Sequence, residues 1–237
     1  MTPKNSSPVV ATSSYNDLLA AGAVMGTEAG WQVAARFAGK DAEESVAREH
    51  VGMAEQGHVT KLRMQGPGVP AALAKLGVVP GVRRVGDAAV RVKRSTVELE
   101  VARLAQAEAW ITAPPGGSLA LIAAVEALTD GVATFDLTSS FSAVRLVGPS
   151  AEMVVASLTD IDLRQRNMPD RSCAQTTIAE VYGLIVRADI GDLPSYRLFF
   201  GREYGIYVWE SLMEAGEAFG MALIGSEALA ALEGAPR

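Results

Sequence analysis

Cysteine and histidine are scarce in this sequence. Its 237 residues include one cysteine, Cys173, and two histidines, His50 and His58. A single cysteine excludes an internal disulfide framework and is typical of a reducing compartment. Isolated histidines and one cysteine do not form the Cys/His clusters that bind zinc, so we expect no metal site. A Gly-x-Ser-x-Gly elbow and a glycine-rich phosphate loop between a strand and a helix are also absent.

Long apolar runs and excess positive charge are lacking as well. No uninterrupted apolar run approaches the about 18–20 residues of a membrane span, and no secretory leader pattern begins the chain. The net charge of −6 disfavours non-specific nucleic-acid binding, which needs Lys and Arg to neutralise phosphates. We therefore expect a cytoplasmic globular protein without membrane or nucleic-acid partners. One basic cluster fits either a solvated face or a site for an anionic ligand or acidic partner: Arg83, Arg84, Arg91, Lys93 and Arg94.

What the sequence does contain is an internal repeat. Lys61–Gly68 recurs as Ala143–Ser150, each copy being an alternating strand followed by a Gly-Pro break. An apolar helix follows each break. A second strand and helix then complete each copy, with Ala109–Thr112 matching Ser195–Leu198. The predicted helices lie at 69–76 and 119–128 in the first copy and at 151–158 and 204–219 in the second.

This repeat predicts an α+β fold. Two pseudo-symmetric β-α-β-β-α halves with antiparallel sheets would pack about a twofold axis, with helices on one side of each sheet and a ligand groove between the halves. We predict a flexible tail over 1–14, a first half over 15–130 and a second half over 131–237. Strands are predicted at 61–65, 88–93, 96–103, 110–113, 134–137, 143–147, 178–187 and 196–200.

The segment before the repeat is interpreted separately. The glycines at 22, 26 and 30 predict that 21–37 is a packed loop. Asp41 is predicted to cap a helix that ends near Glu49, with Glu43 and Glu44 at the positive end of the helix dipole.

Several motifs, in order, resemble the aminomethyltransferase (glycine cleavage T-protein) family. Near the N-terminus, a Gly-Trp pair is followed by a segment with a Glu and an Arg. A Gly-Met pair, an acidic residue and a histidine come next, ahead of the first repeated strand and its Gly-Pro break. Near the C-terminus, Tyr207–Gly216 resembles the family's Leu-Trp-x-x-Leu-x-x-Ala-Gly run. The N-terminal matches are Gly30-Trp31, Glu43, Arg48, Gly52-Met53, Glu55, His58 and 61–67, and Phe219-Gly220 and Gly225 follow the C-terminal run.

Ser172–Thr176, after Asp162-Leu163, resembles the gamma subunit of heterotetrameric sarcosine oxidases. Those subunits are shortened relatives of the same fold. The resemblance implies an aminomethyltransferase folate-binding domain lacking the C-terminal barrel of full-length T-proteins. It also implies tetrahydrofolate as the cofactor, with no covalently bound group.

Three positions depart from the pattern that the resemblance implies. Glu98 stands where the family has a catalytic Asp on a strand, Asp192 lies one position from the family's folate-binding Glu, and Glu233 replaces an Arg that faces the acidic folate tail. On this alignment the candidate catalytic residue is Glu98. The candidate cofactor-binding residues are Met53, His58, Asp192, Tyr196 and Tyr204.

Each of these residues also has an ordinary structural interpretation. Glu98 and Glu100 fit the solvated face of a half-buried strand, or a salt bridge to the basic cluster. His58 fits a hydrogen-bonded structural histidine. Cys173 fits a packed core thiol better than a reactive thiolate.

Three functions follow as hypotheses. The first is a sarcosine oxidase gamma-like accessory subunit of a folate-linked amine oxidase or demethylase, partnered by flavoprotein alpha/beta-type subunits or by a second copy in a homodimer. The second is a stand-alone tetrahydrofolate-dependent aminomethyl- or methyltransferase that uses Glu98. The third is a non-catalytic protein that binds folate or another small acid.

Overall fold

The structure is a computed structural model that describes residues 10–78, 86–94 and 97–234. The side chains of residues 89–94, 97 and 98 lie outside the description. The predicted catalytic side chain, Glu98, therefore lies outside the described residues, although its backbone belongs to a strand. The basic side chains between 83 and 94, and residues 1–9 of the predicted tail, lie outside it as well.

Fourteen strands and seven α-helices make up the described part of the chain. The strands are β1 (Val10–Ala11), β2 (Val24–Glu28), β3 (Trp31–Arg36), β4 (Val51–Glu55), β5 (Thr60–Gln65), β6 (Ala88–Arg94), β7 (Val97–Ala105), β8 (Glu108–Ala113), β9 (Ala133–Asp136), β10 (Phe141–Val147), β11 (Ser172–Ile178), β12 (Val181–Arg187), β13 (Ser195–Gly201) and β14 (Met221–Leu223). The helices are α1 (Tyr15–Ala20), α2 (Lys40–Glu49), α3 (Val69–Leu76), α4 (Ser118–Glu126), α5 (Ala151–Ala156), α6 (Gly205–Glu217) and α7 (Ser226–Gly234), with a 3-10 turn at Arg202–Tyr204.

Two large sheets carry the repeat and confirm the predicted α+β class. One sheet has the order β6-β7-β8-β5-β9 and the other β11-β12-β13-β10-β4-β14, and all pairs are antiparallel except β14 with β4. A third, small sheet contains β1, β3 and β2. In the described part of the chain none of these sheets closes into a barrel. No described helix is long and apolar enough to cross a membrane.

The two large sheets exchange one strand each. β4 precedes the first repeat in sequence but pairs with β10 of the second, while β9 precedes the second repeat and pairs with β5 of the first. The five strands 6-7-8-5-9 therefore correspond in order to 11-12-13-10-4. The division at 130/131 stays a prediction, and the strand exchange shows that each sheet draws on both sides of it.

The Gly-Pro break of each repeat has a steric cause. Gly66 and Gly148 follow β5 and β10 with φ of 127° and 135°, in the region that glycine occupies readily. A Cβ on Gly66 would overlap the carbonyl oxygen of Gly131, and one on Gly148 would overlap that of Ala47. These glycines let the chain turn tightly from strand to helix in both halves.

The core around the two large sheets lies in three layers. Trp110 and Phe199, whose ring centroids are 5.2 Å apart, belong to a cluster shared by both large sheets. Behind one sheet, α3 and the end of α4 pack against β5, β7 and β8. Behind the other, α5 and α6 pack against β10, β12 and β13. The helix-facing and inter-sheet side chains alternate along β8 and β13, as the pleat requires.

Four details of the sequence interpretation need correction. Residues 24–36 form the antiparallel hairpin β2–β3, not a loop, because their glycines lie at the turn and within the strand. Ser172–Ile178 is a strand that its mixed polar composition concealed, and the predicted strand at 178–187 spans a turn before β12. Gly39, not Asp41, precedes α2. The hydrogen-bond register places Trp110 opposite Arg63 and Arg197 opposite Arg145, so the predicted matching of the second strands is one residue out.

Candidate functional site

A central cavity of about 540 Å³ lies where the two halves meet. This volume is within the range of small-molecule sites. Its walls come from the β4–β5 turn, the end of β8, the loop that follows β12, and α7. The polar lining residues are Glu28, Glu55, Gln56, His58, Glu100, Thr112, Arg145, Asp170, Arg171, Asp189, Arg197, Ser226 and Glu233.

The β4–β5 turn is held rigidly by hydrogen bonds to two side chains. The Lys61 side chain is fully buried, and its Nζ donates to the carbonyls of Gly57 (2.8 Å) and Val59 (2.9 Å). Glu55 Oε1 accepts from the Gly57 amide at 2.9 Å. Burial lowers the pKa of Lys61 to about 7, and burial raises the pKa of Glu55. These contacts fix the segment that presents Gln56 and His58 to the central cavity.

His58 faces the cavity and pairs with the β2–β3 hairpin. Its side chain is buried, and its Nε2 lies 3.2 Å from Glu28 Oε2. The hydrogen bond to His58 is the largest influence on Glu28 and lowers its pKa. The other ring nitrogen, Nδ1, has no hydrogen-bond partner among the described residues. His58 therefore anchors the hairpin and keeps one ring nitrogen for a further contact.

A buried ion pair joins the two sheets at the cavity wall. Arg197 on β13 donates through Nε to Gln56 Oε1 at 2.9 Å, and its Nη1 pairs closely with Glu100 Oε2. Glu100 on β7 is 8% exposed, and its second oxygen, Oε1, has no partner in the part of the chain that the structure describes. A buried carboxylate oxygen without a donor costs free energy. Glu100 lines the cavity, and a ligand N–H or O–H that reaches Oε1 would satisfy this acceptor.

A second buried arginine is held by fixed partners. Arg145 Nε donates to Ser195 Oγ at 2.8 Å, Nη2 donates to the Ala188 carbonyl at 3.0 Å, and Nη1 pairs closely with Glu233 Oε1 of α7. Arg145 therefore ties α7 to the wall of the central cavity, and Glu233 compensates its charge.

The loop after β12 is fixed by carboxylates. Asp189 Oδ1 lies 3.1 Å from Arg187 Nε and accepts from the Ser195 amide at 3.1 Å. The Asp189 amide in turn donates to Asp170 Oδ1 at 2.9 Å. This loop therefore forms a firm wall beside Gly191.

Apolar groups complete the cavity: Ala54, Val59, Leu99, Ala113, Pro114, Pro115, Ile190, Leu229 and Ala230.

The structure brings one of the predicted cofactor-binding side chains, His58, to the central cavity. Met53 and Tyr196 are fully buried in the core between one sheet and its helices. Asp192 is exposed on the loop beside the lining residue Gly191. Tyr204 lies at a different, smaller cavity. Glu98 lies two residues before Glu100 on β7, and its assignment as catalytic stays a prediction.

Sequence reasoning did not select Glu100, Arg145 or Arg197 as site residues. A signal for the arginines was present, since Arg197 stands inside the apolar run from Tyr196 to Phe200 and Arg145 between Val144 and Leu146. A cation inside such a run is buried only with fixed partners. For Glu100, the spacing of two from Glu98 predicts a solvated strand face or a salt bridge to the basic cluster. The structure corrects this, since Glu100 is buried and pairs with Arg197.

Comparisons with known proteins agree on one family. A family model described as the GCVT N-terminal domain matches residues 14–233. An aminomethyltransferase of Streptomyces coelicolor is 29% identical over 215 residues, covering 85% of this chain and 56% of that protein. An aminomethyltransferase of Streptomyces avermitilis is 26% identical over 212 residues, covering 84% and 55%. The chain therefore spans a little over half the length of these relatives.

Solved structures share the fold. The glycine cleavage system aminomethyltransferase T of Bartonella henselae superposes with a TM-score of 0.80 at 20% identity, covering 95% of this chain and 62% of that one. A chain of the heterotetrameric sarcosine oxidase of Corynebacterium sp. U-96, solved in complex with pyrrole 2-carboxylate, gives a TM-score of 0.60 at 23% identity. That superposition covers 77% of this chain and 93% of the oxidase chain.

Proposed function

The chain belongs to the GCVT N-terminal domain family, and on that basis we propose that it binds a reduced folate in the central cavity. We further propose that it does so as an accessory subunit, beside a flavoprotein that oxidises an N-methylated amine. The observation that carries the folate proposal is the unpartnered Oε1 of Glu100, which is buried in the wall of the central cavity.

The residues of the cavity fit tetrahydrofolate. The pterin ring of that cofactor carries amino and N–H donors, and Glu100 Oε1 is a fixed acceptor for such a donor. The volume of about 540 Å³ and the apolar patches around Leu99 and Ile190 suit a flat heterocycle. Arg171 is the most exposed cation of the lining, with a side chain 52% exposed and its Nε 3.7 Å from Asp170 Oδ2, and we assign it to the acidic tail.

The chain's own residues would bind and orient the ligand. Arg197, which is itself held by Gln56, fixes the Glu100 carboxylate in one position. The Lys61 contacts in turn fix the segment that carries Gln56 and His58. Polar groups that are already held in place bind a ligand without the free-energy cost of ordering their side chains. Bound tetrahydrofolate supplies a nitrogen that accepts a one-carbon unit. His58 Nε2 is engaged by Glu28, whereas Nδ1 has no partner among the described residues and is left to form a hydrogen bond with the ligand.

Support for the accessory role comes from the comparison with sarcosine oxidase and from the chemistry of the wall. The superposition accounts for 93% of the oxidase chain, which belongs to a heterotetramer. The Glu100 charge is compensated by Arg197, so this carboxylate is better suited to binding than to stabilising a new positive charge. A stand-alone aminomethyltransferase would instead need Glu98 as its catalytic carboxylate.

Calorimetric titration of the purified chain with tetrahydrofolate tests the binding. We expect micromolar affinity, weakened about tenfold by Glu100→Gln, since the amide loses the charge that strengthens the hydrogen bond. Glu210→Gln, an exposed carboxylate on α6 outside the lining, is the matched control and should bind as the native chain does. Absence of saturable binding would overturn the folate proposal.

A second arm separates the accessory subunit from the stand-alone enzyme. The chain alone is assayed for formation of methylenetetrahydrofolate from tetrahydrofolate and an aminomethyl donor, with Glu98→Ala alongside. The accessory role predicts no turnover and unchanged folate binding in Glu98→Ala. Turnover by the chain alone that disappears in Glu98→Ala would replace the accessory role by the enzymatic one.

A further inference from the structure

The pseudo-symmetry of the fold produces a second cavity. It has a volume of about 430 Å³ and lies among β5, β8, the β11–β12 turn and the 3-10 turn after β13. The lining residues that matter here are Arg63, Trp110, Glu180, Tyr182, Glu203 and Tyr204.

The second cavity is equivalent in position to the central cavity but opposite in chemistry. Arg63 lies opposite Trp110 in the β5–β8 pair, as Arg145 lies opposite Arg197 in the β10–β13 pair. Trp110 therefore stands where the other half has Arg197. By the same registers, Leu184 stands where the other half has Glu100. The ion pair of the central cavity is thus replaced by an aromatic and an aliphatic side chain.

Among the described residues, two carboxylates of the second cavity have no counter-charge. Its cation, Arg63, is already paired, with Nε 2.6 Å from Glu108 Oε1. Glu180 and Glu203 are exposed at the cavity and form no ion pair or hydrogen bond with the described residues. The carboxylate of Glu203 lies over Gly201, where an added Cβ would come within 2.8 Å of both its oxygens. Glycine at 201 therefore leaves the room that this carboxylate occupies.

Aromatic rings form another part of the wall. Tyr182 and Tyr204 are 66% and 46% exposed, and the hydroxyl of Tyr182 donates to Gln175 Oε1 at 3.1 Å. Trp110 is 4% exposed and is held edge-on against Phe141 with the ring centroids 5.2 Å apart. Its indole Nε1 has no hydrogen-bond partner among the described residues. The wall thus contains π faces together with a buried donor that nothing in the described chain satisfies.

The position of Glu180 is maintained at a conformational cost. Ala179 and Glu180 join β11 to β12 with φ of 48° and 66°, a pair of positive values that hairpin turns usually fill with Asn-Gly. Non-glycine residues in this region are disfavoured by about 1 kcal/mol or more each. The turn nevertheless places a carboxylate at the mouth of the second cavity.

We propose that the second cavity binds a small organic ammonium ion carrying alkyl groups. Alkylated ammonium ions are attracted to aromatic faces such as those of Tyr182 and Tyr204, and opposite charges on Glu180 and Glu203 add to that attraction. An oxygen acceptor next to the ammonium group of the ligand takes the hydrogen bond of Trp110 Nε1. The proposal is independent of folate binding, because it concerns a different cavity and different residues.

NMR titration of the folded chain tests this site. The chain contains three tryptophans, and the indole N–H signal of Trp110 is identified by its loss in Trp110→Phe. Three probes are used: tetramethylammonium chloride, betaine as an ammonium with a carboxylate, and tert-butanol as a neutral molecule of similar shape. We expect a saturable shift of the Trp110 signal with the first two, the larger with betaine, and none with tert-butanol.

Variants assign the effect to the carboxylates. The Glu180→Gln/Glu203→Gln double variant should weaken tetramethylammonium binding by about tenfold, equivalent to 1.4 kcal/mol. Glu210→Gln, which removes an exposed charge from α6 outside the second cavity, should change nothing. The proposal is overturned by the absence of a saturable shift, by an equal response to tert-butanol, or by unchanged affinity in the double variant.

Discussion

Glu55 and Asp136 occupy equivalent positions on the two exchanged strands. Glu55 Oε1 accepts from the Gly57 amide and Asp136 Oδ1 accepts from the Thr138 amide, both at 2.9 Å. Lys61 lies between the two turns, since its Nζ bonds the Gly57 carbonyl and its backbone amide donates to Thr138 Oγ1 at 3.1 Å. The crossing point of the two halves is therefore organised around a buried lysine.

The free energy of unfolding should rise with pH above 7 because of Lys61. Its pKa is about 7 in the folded chain against 10.5 as the ordinary value, so the unfolded chain binds the additional proton between these limits. A one-proton difference gives a slope of up to about 1.4 kcal/mol per pH unit. Urea unfolding of the native chain and of Lys61→Met between pH 7 and 9 measures it.

The difference in unfolding free energy between the native chain and Lys61→Met reports on Lys61 alone, because the other titrating groups contribute equally to both. We expect the stability of the native chain to gain on that of Lys61→Met as pH rises. Lys40→Met, which changes a surface lysine on α2, is the control and should run parallel to the native chain. Parallel curves for Lys61→Met as well would show that Lys61 is protonated in the folded chain throughout this range.

Glu43 should be the most sensitive carboxylate of α2. Although it is on the first turn of the helix it is 2% exposed, and it accepts from the amides of Phe37 (2.7 Å), Gly39 (3.0 Å) and Gly225 (2.6 Å). Glu43→Ala leaves these donors without an acceptor and should cost about 3 kcal/mol or more. The neighbouring Glu44→Ala, which removes only surface pairs, should cost at most about 1 kcal/mol. Similar unfolding midpoints for the two variants would contradict this assignment.

Removing one partner of the Glu100–Arg197 pair should cost more than removing both. Arg197→Met leaves a buried carboxylate unpaired and should lower stability by about 3–5 kcal/mol. The Glu100→Leu/Arg197→Met double variant should recover most of this loss, since the equivalent positions of the other half are Leu184 and Trp110. Urea unfolding measures all three chains. Arg63 is half-exposed in its ion pair and serves as the control. A loss of unfolding free energy in Arg197→Met no larger than that in Arg63→Met would refute the argument.

Cys173 should be unreactive while the chain is folded. Burial, aided by Asp87, raises the pKa of its thiol to about 12, and the side chain is 8% exposed. The thiolate is the reacting form, so a disulfide reagent at pH 8 should modify the folded chain slowly and the urea-unfolded chain at the rate of a free cysteine. Equal rates in the two states would mean that the thiol is accessible.

The repeat could be predicted because its signals are local. Gly66 and Gly148 are required by positive φ and by close backbone approach, and a Gly-Pro break between a strand and an apolar helix is legible in the sequence. The hairpin β2–β3 was not predictable in the same way. Gly26 lies inside β2 and Gly30 at its turn, so the pattern resembles a loop.

Strand partners could not be predicted from the sequence, since pairing depends on contacts between residues far apart in the chain. The predicted matching of Ala109–Thr112 with Ser195–Leu198 makes Trp110 equivalent to Tyr196, whereas the hydrogen-bond registers make it equivalent to Arg197. Nothing local in Val51–Glu55 indicates that it pairs with β10 rather than with its neighbour β5. The candidate site depends on such pairings, because Glu100, Arg197 and Gln56 come from three separated segments.

The exchanged strands make each half of the fold incomplete without the other. A single repeat unit on its own carries a leading strand that its own sheet does not use and lacks the strand that its sheet needs. Two copies supply each other reciprocally. Within one chain, the two halves are therefore arranged as the subunits of a strand-swapped dimer are, and the positions that carry an ion pair in one half carry an aromatic and an aliphatic side chain in the other.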